Sequence, residues 1–205
     1  MVGKYIVIEG QDATGKSTQV EMLAEHFKRL GKPVLTLHEP DGELEAAHKL
    51  REIIKSKKYN LEPMPHVLLF TAARKELWHK LAEPILKEDG LVFSARNWWS
   101  TLAYQGYGQG VSRSRIIRLT REMMPERYLQ PDYGIVLTLP DDERLRRETG
   151  RDDLSKTDTF ESKPAEFQNK VNAAYLKIAE QFGLHKIDAS PSPEEIQKEI
   201  LKLIS

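Results

Sequence analysis

The run from position 10 to position 17 carries the residue types of a phosphate-binding loop. It reads Gly-Gln-Asp-Ala-Thr-Gly-Lys-Ser and fits the pattern Gly-x-x-x-x-Gly-Lys-Ser/Thr at every fixed position. Backbone N–H groups in such a turn point inward, and the positive end of the following helix faces bound phosphates. Lys16 can then reach the β- and γ-phosphates, while the Ser17 hydroxyl can join the shell of a Mg²⁺ ion. The pattern predicts a site for ATP formed by Gly10, Gln11, Asp12, Ala13, Thr14, Gly15, Lys16, Ser17 and Thr18.

The segments on either side of this loop have the patterns that the loop requires. Residues 4–8 alternate and then run apolar from Tyr5 to Ile8, which is typical of a buried strand. Residues 17–30 carry a helical repeat of apolar side chains, namely Val20, Leu23, Ala24, Phe27 and Leu30. A chance match in a glycine-containing turn is the alternative, but it would not explain a strand before the loop and a helix after it.

Strand-like and helix-like segments alternate along the rest of the chain. Strands are predicted at residues 34–37, 91–94, 133–139 and 185–188. Helices are predicted at residues 43–57, from the turn-rich stretch 60–65 to 81, near 100, at 113–124 and from about 164. The last helix begins with Ser192 as N-cap and Glu195 closing a capping box. This alternation predicts an α/β fold, with a five-stranded parallel sheet and helices on both faces, in a single domain over residues 1–205.

Two polar stretches, residues 106–114 and 141–162, interrupt this alternation. The second is rich in arginine among acidic and small residues, with Arg144, Arg146, Arg147 and Arg151. It could be a solvated helix whose arginines pair with Glu143 and Glu148. Because the same chain carries a phosphate loop, we prefer a second interpretation to the solvated helix. In it, this stretch is a small arginine-bearing lid that covers the nucleotide site.

The composition argues against several classes of protein. Lys plus Arg and Asp plus Glu both number 31 among 205 residues, and this zero net charge argues against broad nucleic-acid binding. The absence of cysteine rules out disulfides, thiolate catalysis and a cysteine-based zinc site. No apolar run approaches the ~20 residues of a membrane helix. Since the first predicted strand leaves no room for a signal peptide, we expect a cytoplasmic protein.

Motifs that are absent narrow the kind of nucleotide-binding protein. A GTPase would carry an Asn-Lys-x-Asp motif, which this sequence lacks. A nucleic-acid motor would usually be longer and end a strand in a carboxylate, whereas residues 91–95 read Leu-Val-Phe-Ser-Ala. Arginines supply the positioning and charge neutralisation on which phosphoryl transfer relies. The sequence therefore favours a kinase for a small substrate.

Several further motifs resemble those of the thymidylate kinase family. Residues 38–42 read His-Glu-Pro-Asp-Gly, where the family has Arg-Glu-Pro-Gly-Gly. Residues 68–74 match Leu-Leu-Phe-x-Ala-x-Arg, and residues 100–106 are close to Ser-x-Ala-Tyr-Gln-Gly. The similarity runs from the first strand to the final helix. It implies a P-loop kinase fold and transfer of a phosphoryl group from ATP to dTMP with Mg²⁺, giving dTDP and ADP.

The resemblance also implies where the acceptor binds. Phe70 and Arg74 lie four residues apart on one helix, so a ring could stack on a pyrimidine while a guanidinium donates to a base carbonyl. The alternative is a core phenylalanine and a solvated arginine. Arg51 and Arg96 resemble the pair that grips the 5′-phosphate, and Tyr104 would pack against the sugar and disfavour a 2′-hydroxyl. The implied substrate site comprises Glu39, Pro40, Arg51, Phe70, Arg74, Arg96, Thr101, Tyr104 and Gln105.

Catalytic roles follow from the same resemblance. Asp12 is similar to a carboxylate near the sugar 3′-hydroxyl and the water shell of the metal, and Ser17 is the expected metal ligand. Since the phosphate loop contains no arginine, the family pattern implies one from the lid. The implied catalytic residues are Lys16, Arg96, Asp12, and Arg147 or Arg151. The family also implies a homodimer that binds nucleotides, with no nucleic acid and no membrane as partner.

Some positions depart from the family pattern. Ala95 stands where the family has an aspartate expected to hold Mg²⁺, directly or through water, and Trp98 and Trp99 are bulkier than usual. His38 replaces an arginine, and residues 158–161 read Asp-Thr-Phe-Glu for Asp-Arg-x-Glu. We expect a working but slow kinase with a raised Mg²⁺ requirement. The alternatives are a kinase for another deoxynucleotide or a deoxynucleoside, and a nucleotide-binding homologue of low activity.

Overall fold

A parallel sheet lies at the centre of the computed structural model, which describes residues 3–40, 44–149, 160 and 163–205. Its strands are β1 (Lys4–Gly10), β2 (Val34–His38), β3 (Leu91–Ala95), β4 (Tyr133–Thr138) and β5 (His185–Asp188). They lie in the order β2-β3-β1-β4-β5. The prediction of a five-stranded parallel sheet is confirmed.

Ten helices are described. They are α1 (Lys16–Arg29), α2 (Glu45–Lys55), α3 (Pro63–Leu77), α4 (Glu83–Lys87), α5 (Trp98–Thr101), α6 (Arg113–Met123), α7 (Glu126–Leu129), α8 (Asp141–Thr149), α9 (Ala165–Phe182) and α10 (Pro193–Ile204). Two π-helical segments, Trp78–Ala82 and Leu102–Gly108, continue α3 and α5 respectively. The helix predicted to end at residue 81 therefore runs on through the first π-helical segment into α4.

Helices cover both faces of the sheet because β1 is apolar on both sides. Tyr5 and Val7 belong to a core shared with α3 and α9, whereas Ile6 and Ile8 belong to a core shared with α1 and α10. This arrangement confirms the predicted α/β architecture. It also turns the loops after the strands toward one edge of the sheet, where ligands bind in open α/β folds.

The parallel register fixes which residues meet at that edge. Ile8 of β1 pairs with Ala95 of β3, and Ala95 pairs in turn with His38 of β2. The loops that follow β1, β2 and β3 therefore leave the sheet side by side. These loops carry the phosphate-loop pattern and two of the other sequence motifs.

The two polar stretches that interrupt the sequence pattern differ in their secondary structure and in how much of each is described. Residues 106–108 end the second π-helical segment, and α6 begins at Arg113. Of the predicted lid, residues 141–149 form α8, whereas Arg151 lies outside the described residues. Over the described part of the chain, no helix is both long enough and apolar enough to cross a membrane.

Candidate active site

The phosphate loop connects β1 to α1, as its pattern predicts. Gly10 has a φ of 139°, and a Cβ added there would lie 2.5 Å from the carbonyl oxygen of Leu137, so only glycine can occupy this position. Thr14 closes the turn by donating its hydroxyl to the Gln11 carbonyl over 2.8 Å. Since α1 begins at Lys16, the N–H groups of its first turn have no partner within the helix and can bind an anion.

Lys16 is buried within this loop. Its Nζ donates to the Gln11 carbonyl over 2.6 Å and lies 3.9 Å from Asp12 Oδ1. Ser17 and Thr18 are exposed beside it. The loop therefore presents an ammonium group and two hydroxyls at one place, which suits the phosphates of a nucleotide.

A cavity of about 370 Å³ opens beside the loop. Six loop residues predicted to bind ATP line it, namely Asp12, Ala13, Gly15, Lys16, Ser17 and Thr18. All nine residues predicted to bind the acceptor also line it, namely Glu39, Pro40, Arg51, Phe70, Arg74, Arg96, Thr101, Tyr104 and Gln105. Gly10, Gln11 and Thr14 are not among its lining residues and instead shape the turn.

One end of the cavity is built around Arg74. Its guanidinium lies 5.2 Å from the Phe70 ring, because the two residues are one turn apart on α3. The Nε atom donates to Glu39 over 3.0 Å, and Nη1 donates to the Thr101 hydroxyl over 2.6 Å. Arg74 is only 3% exposed, so the alternative of a solvated arginine is wrong. Among the described residues, none hydrogen-bonds to Nη2, which leaves that nitrogen available to a ligand.

Glu39 balances the charge of Arg74 inside the protein. It also accepts a hydrogen bond of 2.7 Å from the Tyr128 hydroxyl. Burial raises the pKa of Glu39 from 4.5 to about 7, although Arg74 and Tyr128 act to lower it. Two buried charges that satisfy each other hold the guanidinium in one orientation.

The other end of the cavity is built around Arg96. This residue follows β3 with a φ of 78°. Its Nη2 donates to Asp12 Oδ1, and Asp12 Oδ2 accepts a hydrogen bond of 2.9 Å from the Tyr104 hydroxyl. The guanidinium lies 5.4 Å from the Tyr104 ring. Asp12 thereby ties the phosphate loop to the part of the cavity predicted to bind the acceptor.

Two residues that the sequence analysis missed, Glu9 and Tyr175, support this end together with Ser100. Glu9 is fully buried and accepts hydrogen bonds from two backbone N–H groups, those of Asn97 (2.8 Å) and Ser100 (3.0 Å). It also lies 2.7 Å from the Ser100 hydroxyl and 3.2 Å from that of Tyr175. A carboxylate at the end of an apolar strand was the signal for Glu9, whereas the sequence gives no such signal for Tyr175.

Phe160 forms a further wall of the cavity. Its ring lies 5.2 Å from that of His66, 5.9 Å from that of Tyr104 and 6.0 Å from that of Phe70. The predicted lid thus contributes an aromatic side chain to the pocket, in addition to the arginines for which it was singled out.

Of the two lid arginines predicted to be catalytic, Arg147 is described and lies away from the cavity. Arg147 donates to Glu143 over 2.8 Å and lies 3.4 Å from the Ser190 carbonyl, and it is not among the residues that line the cavity. Arg146 also donates to Glu143. These two pairs are the ones expected for a solvated helix, whereas Arg144 on the same helix is only 2% exposed and departs from that expectation.

Mg²⁺ prefers oxygen ligands and keeps several waters when it binds to a protein. Ser17 offers a hydroxyl at the cavity wall. Within the described ranges there is no group of three or more histidine or carboxylate side chains that could hold a metal ion. Ala95 is 4% exposed and offers no oxygen from its side chain. Ser17, phosphate oxygens and water would therefore supply most of the ligands.

Comparisons with known proteins identify the family to which the chain is similar. The sequence model of the family described as "Thymidylate kinase" matches residues 8–200. A thymidylate kinase of Chlorobaculum parvum is 34% identical over 97% of this chain and 94% of that protein. A probable thymidylate kinase of Thermococcus onnurineus is 36% identical over 98% and 96% respectively. The solved thymidylate kinase of Ehrlichia chaffeensis covers 100% of both chains, with a TM-score of 0.79 and 25% identity. The chain belongs to the thymidylate kinase family.

Proposed function

We propose that this chain transfers the γ-phosphoryl group of ATP to dTMP, giving dTDP and ADP. The observation that carries the proposal is the cavity of about 370 Å³, which is lined on one side by the phosphate loop and on the other by Phe70, Arg74 and Arg96. The phosphates of a donor and a planar acceptor can therefore lie side by side in one cavity.

On the donor side, the N–H groups at the start of α1 and the ammonium group of Lys16 bind the phosphates. Lys16 exchanges the Gln11 carbonyl, to which it donates in this structure, for the phosphate oxygens. Mg²⁺ bound at Ser17 would neutralise charge on the β- and γ-phosphates.

On the acceptor side, the base stacks on Phe70 and accepts a hydrogen bond from Arg74 Nη2. Tyr104 packs against the sugar, with Thr101 and Gln105 at the edge of the base. Arg51 and Arg96 bind the 5′-phosphate, so that a nucleotide is preferred to a bare nucleoside.

We also propose that a lid arginine, Arg147 or Arg151, reaches the transferring phosphate after the donor binds. For Arg147 this means leaving Glu143 and the Ser190 carbonyl, both of which it contacts in this structure. If Arg147 exchanged those contacts for phosphate oxygens, closure of the lid would depend on binding of the donor.

We propose further that the protein is a homodimer and acts in the cytoplasm. Leu68 on α3 and Met123 at the end of α6 are 49% and 41% exposed, and the Lys75 side chain, donating to the Met123 carbonyl, joins these two helices. Apolar side chains exposed on adjacent helices suit a contact with a second copy. Cell fractionation would test the location.

A coupled assay of ADP release tests the acceptor directly. With ATP and Mg²⁺, dTMP should be turned over faster than any other nucleoside monophosphate, because the hydrogen-bonding groups of the pocket match thymine. Faster turnover of UMP or CMP would show that the acceptor is wrong. No release with any acceptor would favour a nucleotide-binding homologue.

Replacement of Lys16 tests the donor site. Lys16→Met should lower kcat with dTMP by at least about a hundredfold, because it removes a charge that stabilises the transferring phosphoryl group. Lys87→Met, in an exposed ion pair on α4, is the matched control and should retain full activity. Equal activity of Lys16→Met and the control would show that the loop has another role.

A further inference from the structure

The hydroxyl of Tyr175 lies buried behind Arg96, at a position that the transfer reaction itself does not use. We propose that Tyr175 is a positioning residue that orients the Arg96 guanidinium toward the 5′-phosphate of the acceptor. This inference rests on the proposed function, because it takes Arg96 to bind that phosphate.

The first step in the argument is the set of contacts made by this hydroxyl. It lies 3.0 Å from Arg96 Nη1, 2.9 Å from the Ser100 hydroxyl and 3.2 Å from Glu9 Oε2. Arg96 can only donate and an ionised Glu9 can only accept, so the hydroxyls of Tyr175 and Ser100 bridge the two charges. Burial, and after it the charge of Glu9, raise the pKa of Tyr175, so its proton stays in place to make this bridge.

The second step is what these contacts leave available on Arg96. Nη1 is occupied by Tyr175, Ser100 (3.2 Å) and the Gly10 carbonyl (3.4 Å), while Nη2 donates to Asp12. No hydrogen bond to Nε occurs within the described part of the chain. Nε and one N–H of Nη2 are therefore left for a ligand, and a guanidinium can bind a phosphate through two such donors.

The third step is that Tyr175 acts only through other residues. It is 2% exposed and is not among the residues that line the cavity, whereas Arg96 and Ser100 are. Without its hydroxyl, Nη1 would lose its shortest hydrogen bond, and the flexible arginine side chain would occupy more orientations. The phosphate would then bind to a less ordered partner.

The position of Tyr175 on α9 adds a structural reason for this role. Gln168 lies two turns earlier on the same face of α9, and its carbonyl accepts a hydrogen bond of 2.9 Å from Gln11 of the phosphate loop. One face of one helix thus contacts both the loop that binds the donor and the arginine that binds the acceptor. The distance between those two groups is set by a rigid element.

Calorimetric titration of the full chain with dTMP and with thymidine tests the inference. Tyr175→Phe should weaken dTMP binding about tenfold, because one hydrogen bond to a charged group is lost. Thymidine lacks the phosphate, so its affinity should change less than about twofold. Tyr5→Phe is the matched control, since the Tyr5 hydroxyl is as deeply buried as that of Tyr175 but is not among the hydrogen-bond partners of Arg96.

Two results would overturn the inference. An unchanged dTMP affinity in Tyr175→Phe would show that the hydroxyl does not position Arg96, and equal weakening of both ligands would show that it supports the pocket as a whole. The stoichiometry of thymidine binding reports the folded fraction of each variant, which keeps the comparison valid if stability falls.

A double-mutant comparison tests whether Tyr175 acts through Arg96. In an Arg96→Gln background, Tyr175→Phe should weaken dTMP binding by less than about twofold further, since the group that it positions is gone. An additional tenfold loss would contradict the role. ADP release by the wild-type protein with dTMP tests the proposed function separately, so its failure is distinguishable from failure of this inference.

Discussion

Three of the charged side chains that line the cavity are each held by a protein partner. Lys16 donates to the Gln11 carbonyl, Arg74 pairs with Glu39, and Arg96 pairs with Asp12. Buried charges are costly unless they are paired, so these contacts keep the site ordered. An incoming phosphate then replaces or joins an existing contact and does not have to order a free side chain.

The buried carboxyl of Glu39 should make stability depend on pH. Its pKa of about 7 in the folded state lies above the ordinary value of 4.5, so the folded protein binds more protons between these values. The free energy of unfolding contributed by this group therefore decreases as pH rises through that window. Glu39→Gln cannot titrate and should lack the decrease, which we expect to be about 1–3 kcal/mol.

Urea unfolding of both proteins at about pH 4.5 and about pH 8 measures this difference. Glu122→Gln, an exposed glutamate on α6, is the control and should follow the wild type. If wild type and Glu39→Gln show the same change between the two pH values, Glu39 does not titrate in this window.

The small side chain at position 95 should weaken the hold on Mg²⁺. Ala95 lies at the cavity wall between Ile8 and His38, where a carboxylate would point toward the phosphate site. Ala95→Asp should lower the Mg²⁺ concentration for half-maximal rate by about threefold or more. Asparagine is nearly the same size as aspartate but carries no charge, so Ala95→Asn should lower this Mg²⁺ concentration by less than Ala95→Asp does. Coincident Mg²⁺ titrations for the wild type and Ala95→Asp would show that the metal is held without this position.

Motifs predicted the residues of the cavity better than they predicted the residues behind it. The nine predicted acceptor residues stand in recognisable motifs, and all of them line the cavity. Glu9 and Tyr175 are 166 positions apart, and their contact depends on how α9 packs against β1. Tyr175 also falls at a core position of an amphipathic helix, where its hydroxyl leaves no trace in the pattern.

At the scale of elements, the strands were predictable because each is a short apolar run between turn residues. The continuation of α3 beyond residue 81 was not predictable, because Pro84 would normally end a helix. The π-helical segment Trp78–Ala82 comes directly before α4, and its wider turn accommodates a proline ring that would otherwise clash with the carbonyl four residues earlier. The hydrophobic pattern carries no information about such a local change of pitch.

The start of α10 should contribute measurably to stability. Ser192 accepts a hydrogen bond from the Glu195 N–H, and Glu195 accepts one from the Ser192 N–H, which completes the predicted capping box. The Pro193 carbonyl also accepts a hydrogen bond of 2.9 Å from Gln19 of α1. Ser192→Ala should lower the free energy of unfolding by about 1 kcal/mol, whereas Ser192→Gly should cost only a few tenths.

Thermal unfolding of both variants distinguishes the cap from other effects. A loss of about 1 kcal/mol corresponds to a Tm lower by about 2–4 °C in a chain of this size. An equal loss in the alanine and glycine variants would mean that the hydroxyl matters for a reason other than helix capping.

At the scale of the whole molecule, the proposed dimer and the single domain remain predictions. Leu68→Glu would place a charge among the exposed apolar side chains of α3 and α6, and it should convert a dimer to a monomer. Leu145→Glu is the matched control, because Leu145 on α8 is also 49% exposed. Sedimentation equilibrium measures the oligomeric state of both variants. If Leu68→Glu is still a dimer, the interface lies elsewhere.

The three tryptophans give the molecule an optical property that follows from their packing. Trp78 lies 5.3 Å from the ring of Tyr128, whose hydroxyl holds Glu39 at the base end of the cavity. Trp98 and Trp99 begin α5, directly after the loop that carries Arg96 at the phosphate end. Since all three indoles are buried, their fluorescence responds to small rearrangements of these neighbours. The emission spectrum therefore sums signals from the two ends of the cavity, and single replacements by phenylalanine would assign the share of each tryptophan without any added dye.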